Sequence, residues 1–241
     1  MKHSKLLDMA TAGLLRTTVN ISDGSEVKIR AFAVKELKLL MMASESGSAQ
    51  DYQVIQILNQ CIETDGIDAN DLPSHDVEYL YLQLYKISKG THLIPVKYLC
   101  TNEVDGKKCN NPIATSLNLN NVVVDESPIP TIKLTNGLVF NMRLPTILEM
   151  DHFSDKTTNP VYLAIRCIKS VDTGSEVLVV GEDLDDEELA EVVDYLDESA
   201  FNQLIEFVTT LPSISLTFPL KCQKCGHEEI VTVRGLSDFF G

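Results

Sequence analysis

The sequence predicts an α+β fold: helices mixed with short antiparallel strands, a β-rich module of split zinc-ribbon-like type, and a helical insertion toward the C-terminus. Three observations predict it. Apolar residues recur at helical spacing in several separate segments; the stretch after His92 breaks into short, β-branched runs; and two cysteine pairs, Cys100/Cys109 and Cys222/Cys225, sit in strand-like surroundings far apart in the chain. The expected organisation is an N-terminal segment and β-hairpin (1–33), a helical region (34–91), a β-rich region assembled from 92–144 with 212–241, and a helical insertion (145–211).

At 241 residues and 44% hydrophobic, the chain can bury a real core, roughly 70 to 75% of its unfolded surface. Thirty-five acidic against 20 basic residues give a net charge of −15, which argues against a general nucleic-acid binder, because phosphate contacts need clustered cations. No apolar run approaches the roughly 18 residues a membrane-spanning helix needs, so no membrane insertion is expected. Lys2 and Lys5 precede Leu6 and Leu7, but Asp8 interrupts the apolar run an export signal would need. A reducing compartment is therefore expected, where six cysteines read better as metal ligands than as disulfides.

Taken in order, alternating residues flank Ser22-Asp23-Gly24, and Asp-Gly between two such runs signals a β-hairpin. Val34, Leu37, Leu40 and Met41 predict a helix over 34–43 with one apolar stripe, interrupted by Ser44 through Ser48. Val54, Ile57, Leu58 and Cys61 predict a second helix, with Cys61 inside its stripe. The acidic loop 64–73 lacks the ligand alternation of a calcium loop. Ser74 is placed to cap a third helix, 75–88, that ends near Gly90. Runs such as VKYLC, TSLNLNNVVV and LVFNMRL then predict a sheet region.

After Pro145 the pattern is helical again. Asn159-Pro160 reads as a cap and first-turn pair for a helix containing Cys167. Ten acids and no base fall between Glu182 and Glu198, yet Leu189, Val192, Val193 and Leu196 form an apolar stripe, with Asp185 and Glu188 spaced as a capping box; the charge run is a solvated helix face. Phe201, Leu204, Ile205 and Val208 continue into a second helix before Pro212. ISLTFPLKCQKCGHEEIVTVRG predicts two strands joined by a cysteine-bearing turn, and no internal repeat is found.

Cys222-Gln223-Lys224-Cys225-Gly226 is the most specific short motif. Two cysteines separated by two residues can place both thiolates on one ion, and the glycine lets the turn aim backbone amides at the sulfurs. Cys100 and Cys109 are the natural completing pair, because Cys61 and Cys167 fall in helices. Closing a loop of about 110 residues costs on the order of 5 kcal/mol, against about 10 to 16 kcal/mol for structural zinc in small peptides, so the site can clamp distant segments. Four thiolates on Zn²⁺ leave a formal −2, which Lys107, Lys108, Lys221 and Lys224 can offset. A site using His227, and cysteines that are free or disulfide-bonded, are the alternatives. His3, His75, His92 and His152 show no ligand spacing, and signatures of serine hydrolases, zinc proteases and phosphate loops are missing. The metal is read as a structural Zn²⁺.

The hairpin, the segment IRAFAVKELKLLMMASES, the run ILNQCIETDGIDANDLPSHDVEYLYLQLYKISKG, the Cys100/Cys109 pair and CQKCGHEEIVTVRGLSDFF together resemble the baseplate hub subunit and hub-assembly proteins of T4-type contractile-tailed bacteriophages. The resemblance covers about two thirds of the chain. It implies a non-enzymatic structural or assembly protein of the virion tail baseplate, assembled in the host cytoplasm, with other hub proteins, and further copies of itself, as candidate partners. The terminal aromatics Phe239 and Phe240 are expected either to dock on a neighbour or to cover the protein's own core. Two rivals come from other classes. A zinc-ribbon nucleic-acid-binding or transcription factor would use the four lysines as phosphate contacts, and a metal-dependent hydrolase would need an open position on the metal.

Overall fold

The structure is a computed structural model, and it describes Leu6 and residues 9–46, 50–153 and 160–240. It is mixed α+β, as expected, with short antiparallel strands throughout. The chain divides into two compact units: Met1–Ile67 with Glu78–Asp125 and Ser213–Gly241, and Asp68–Val77 with Glu126–Pro212.

In the first unit, β1 (Arg16–Asn20) and β2 (Glu26–Arg30) pair antiparallel with Val19 opposite Val27. Gly24 supplies the positive φ of the turn, and Asp23 accepts from the Ser25 amide. Val27 and Ile29 are fully buried. Helices α1 (Val34–Ser46) and α2 (Gln50–Cys61) follow, and then α3 (Ser74–Lys89), whose first four residues are counted with the second unit and the rest with the first. The apolar stripe expected of α1 is not its buried face: Val34 is 67% and Met41 66% exposed, while Glu36 is 0% exposed. The reason is electrostatic. Arg30, itself buried, donates to Glu36 Oε1 at 2.8 Å, Ala33 N donates to Glu36 Oε2, and this paired charge turns the helix so that its acid faces inward. Burial is the largest influence on Glu36 and raises its carboxyl, but the hydrogen bonds from Arg30 and the Ala33 amide, with the Arg30 charge, together outweigh it and hold the group below its ordinary value. In α2 the expected stripe is buried, with Ile57, Leu58 and Cys61 at 0% exposure.

The rest of this unit is built from hairpins. Strand β3 (Leu93–Leu99) pairs with β6 (Pro112–Asn118), and between them lies a small hairpin of β4 (Glu103–Val104) and β5 (Lys107–Lys108). After β7 (Val123–Val124), the chain re-enters the unit as β12 (Ile214–Lys221), which pairs with β7 and with β13 (Glu228–Arg234). The terminal helix α8 (Gly235–Phe240) buries Phe239 and sets Phe240 against Tyr81 and Tyr85 of α3, at ring distances of 5.8 and 5.1 Å. The terminal aromatics therefore cover the protein's own unit.

The second unit holds one four-stranded antiparallel sheet, ordered β11-β10-β9-β8: β8 (Thr131–Lys133), β9 (Val139–Met142), β10 (Ile168–Asp172) and β11 (Val177–Val179). Helices α4 (Ile147–Phe153) and α5 (Pro160–Arg166) connect β9 to β10, while α6 (Asp186–Asp194) and α7 (Glu198–Thr209) follow β11. Among the described residues, four helices occupy the stretch read as helical, and between them β10 and β11 form a hairpin that helical spacing alone does not reveal. Cys167 lies just beyond α5, not within it, and Asn159 of the expected cap pair lies outside the described residues. The capping box on α6 is present: Asp185 accepts from the Glu188 amide while Glu188 accepts from the Asp185 amide. Phe140, Leu189, Leu204 and Phe207 form the centre of the core.

Candidate metal centre

Each half of the site is a turn at the end of a hairpin. Strand β12 runs into Cys222, the chain reverses through Gln223 and Lys224, and Cys225 precedes β13. Gly226, at φ +75°, donates its N–H to the Cys222 carbonyl, and Cys222 N donates to the His227 carbonyl at 2.8 Å. The other half repeats these bonds. Asn110, at φ +46°, donates to the Cys100 carbonyl, and Cys100 N donates to the Asn111 carbonyl at 3.0 Å. The residue after the second cysteine is thus left-handed in both turns: glycine in one, and in the other asparagine, which tolerates that region better than most side chains.

The eight-residue spacing of the first pair has a simple cause. Cys109 N donates to the Asn102 carbonyl at 2.8 Å, closing the base of the β4–β5 hairpin, so Glu103–Lys108 is an excursion that leaves and returns at one point. Without it, Cys100, Thr101, Asn102 and Cys109 would read as a second Cys-x-x-Cys. The excursion turns at Asp105-Gly106, both at positive φ, the two-residue hairpin signature. That dipeptide was a signal for it in the sequence, unlike the roles of Asn102 and Asn110.

The two turns bring all four predicted sulfurs together. Cys100 Sγ lies 3.6 Å from Cys225 Sγ, Cys109 Sγ lies 3.9 Å from Cys222 Sγ, and all four are within 4.8 Å of one another. Disulfides would need sulfurs about 2.05 Å apart, and all six cysteines are free thiols. A tetrahedral ion with sulfur ligands at about 2.3 Å would place its ligands about 3.8 Å from one another, so the donor set fits such an ion. His227 contributes through its backbone: its carbonyl accepts from Cys222, and its amide faces Cys225. Cys61 and Cys167 are buried elsewhere, and burial pushes both thiols up to about 12.

The electrostatics favour thiolates on the second turn. The Cys225 amide, assisted by that of Lys224 and opposed by burial, pulls Cys222 down to about 6. The His227 amide lowers Cys225, and Asn102 Nδ2 adds a contact to its sulfur at 3.6 Å. Cys100 moves the other way. The Asn102 amide lowers it, but burial and the three neighbouring sulfurs push it up to about 12, because a proton is better kept among close sulfurs than another negative charge added. Four sulfurs this close need a cation before all can ionise. Around them, Lys107, Lys108, Lys221 and Lys224 are all exposed, and Lys221 pairs with Glu228 across β12 and β13.

Residues 15–241 match the family described as T4 bacteriophage base plate protein. The baseplate hub assembly protein gp26 of Enterobacteria phage T4 is 27% identical over 214 residues, covering 89% of this chain and 92% of that protein. No solved structure matches. The hairpin, helix and cysteine motifs that carried the resemblance thus fall within a match that spans nearly the whole sequence, and the chain belongs to the T4 bacteriophage base plate protein family.

Proposed function

We propose that this protein is a non-enzymatic structural or assembly protein of a contractile phage tail baseplate hub, held together by one structural Zn²⁺ on Cys100, Cys109, Cys222 and Cys225. The observation that carries the reading is the convergence of four sulfurs from two like-bonded turns in a chain of this family. An all-sulfur tetrahedral set is the usual choice of structural zinc, and four thiolates leave no position for a substrate water. Other hub proteins are the partners, further copies of the chain are candidates, and the tail baseplate, built in the host cytoplasm, is the location. The cysteine-bearing hairpins within 92–144 and 212–241 act as one clamped module, with 1–33, 34–91 and 145–211 as further parts. The exposed lysines serve to offset the thiolate charge, which leaves the nucleic-acid reading without a supporting observation.

A phage lacking this gene, complemented with the wild-type chain or with Cys222→Ser, tests both parts. The expected result is tails without complete hubs in the deletion, rescued by wild type and not by the variant. Normal hubs in the uncomplemented deletion would refute the assembly role. Full rescue by Cys222→Ser would refute the structural metal alone.

A further inference from the structure

Within the second unit, β8 stands at the edge of its sheet and, among the described residues, pairs only with β9. Met142 N donates to the Pro130 carbonyl and Leu134 N to the Leu138 carbonyl, so by the alternation of an antiparallel ladder the N–H and C=O groups of Thr131 and Lys133 face away from β9. Such an edge is a template for one more strand. Between it and α7 runs a groove of about 230 Å³, lined by the buried Ile132 and Phe207 and by Ile129, which is 75% exposed. Gln203 and Glu206 border this groove and also line a shallow trough that continues along α7 past Asn202 to Glu198 and Asp197.

We propose that this groove receives an extended segment of a partner protein that adds a strand to β8. One apolar side chain would seat against Ile132 and Phe207, and lysine or arginine side chains would meet Glu206 and the acids at the start of α7. Charge argues for that occupant. Ten acids and no base lie between Glu182 and Glu198, and among the described residues Asp197, Glu198 and Glu206 have no ion-pair partner. A second copy is disfavoured, because a chain of net charge −15 would bring acid against acid. The inference names a partner chemistry that the assembly role leaves open, and its binding test does not depend on whether hubs form.

The probe is a labelled, end-capped peptide Lys-Val-Lys-Ile-Lys-Val-Lys, with its glutamate counterpart as control, titrated onto the full chain. The expected result is that the lysine peptide binds, shifts the Thr131 and Lys133 amide resonances and slows their hydrogen exchange. Glu206→Lys should weaken it about tenfold, whereas Glu191→Lys, the same charge change on exposed α6, should leave it within about twofold. Absence of binding, equal weakening by the two reversals, equal affinity for the glutamate peptide, or amide protection elsewhere than β8 would each overturn the proposal.

Discussion

The cysteine turns and the sheet of the second unit solve the same problem with different means. Around β8 to β11, fifteen buried apolar side chains form one cluster among the described residues, Phe140 and Leu204 among them. Around the cysteines the corresponding cluster has four members, Cys100, Ile113, Leu220 and Cys222, and two of these are proposed ligands. Tyr98 and Phe218 add one ring contact at 5.7 Å. Full burial of one large apolar side chain stabilises by about 1.5 to 3 kcal/mol, so the first region has a core to rest on and the second has little. Where apolar burial runs short, the proposed metal cross-link would take over its role.

The strongest way to break this comparison is Cys222→Ser. It should unfold the β3–β6 and β12–β13 hairpins, read as loss of amide exchange protection there, while β8 to β11 stay protected. Phe140→Ala should do the reverse. It should cost the second unit about 3 to 5 kcal/mol, measured by denaturant titration, and leave bound metal in place.

A smaller effect separates the regions by pH. His75 is buried in the second unit, its Nε2 3.6 Å from Asp76; burial pushes its pKa below the ordinary 6.5, opposed by the Asp76 charge. Below pH 6.5 the unfolded chain takes up a proton that the folded one refuses. The stabilisation is therefore whole above 6.5 and declines as pH falls toward the lower folded value. His75→Gln should flatten that slope in pH-dependent denaturant titrations. The smallest effect is expected from deleting Glu103–Lys108, which leaves Cys100-Thr101-Asn102-Cys109: metal affinity should stay close to that of the full chain, because the excursion closes on itself at Asn102 and Cys109.

Much of this was legible in the sequence, and the misses have physical reasons. The Asp23-Gly24 hairpin, the α2 stripe and the capping box on α6 rest on local chemistry, and local chemistry decided them. The grouping of the four cysteines was legible because the other two fall in helical patterns and the second turn is short. The facing of α1 was not, since a helix with a Leu/Met stripe and a buried acid is oriented by Arg30, which comes from another element. The kinship of the two cysteine turns was hidden by six inserted residues and by asparagine standing where the other turn has glycine. β10 and β11 are hidden because the acidic helices on their C-terminal side dominate the pattern.

The metal content of the freshly purified chain, measured beside Cys222→Ser by elemental mass spectrometry and by cobalt substitution, goes most directly to the central claim. One zinc ion per chain, lost in the variant, with the charge-transfer bands of a tetrathiolate site on cobalt loading, is the predicted result. A chain that is fully folded with no bound metal, its β3–β6 and β12–β13 amides protected as well as those of β8 to β11, would contradict it.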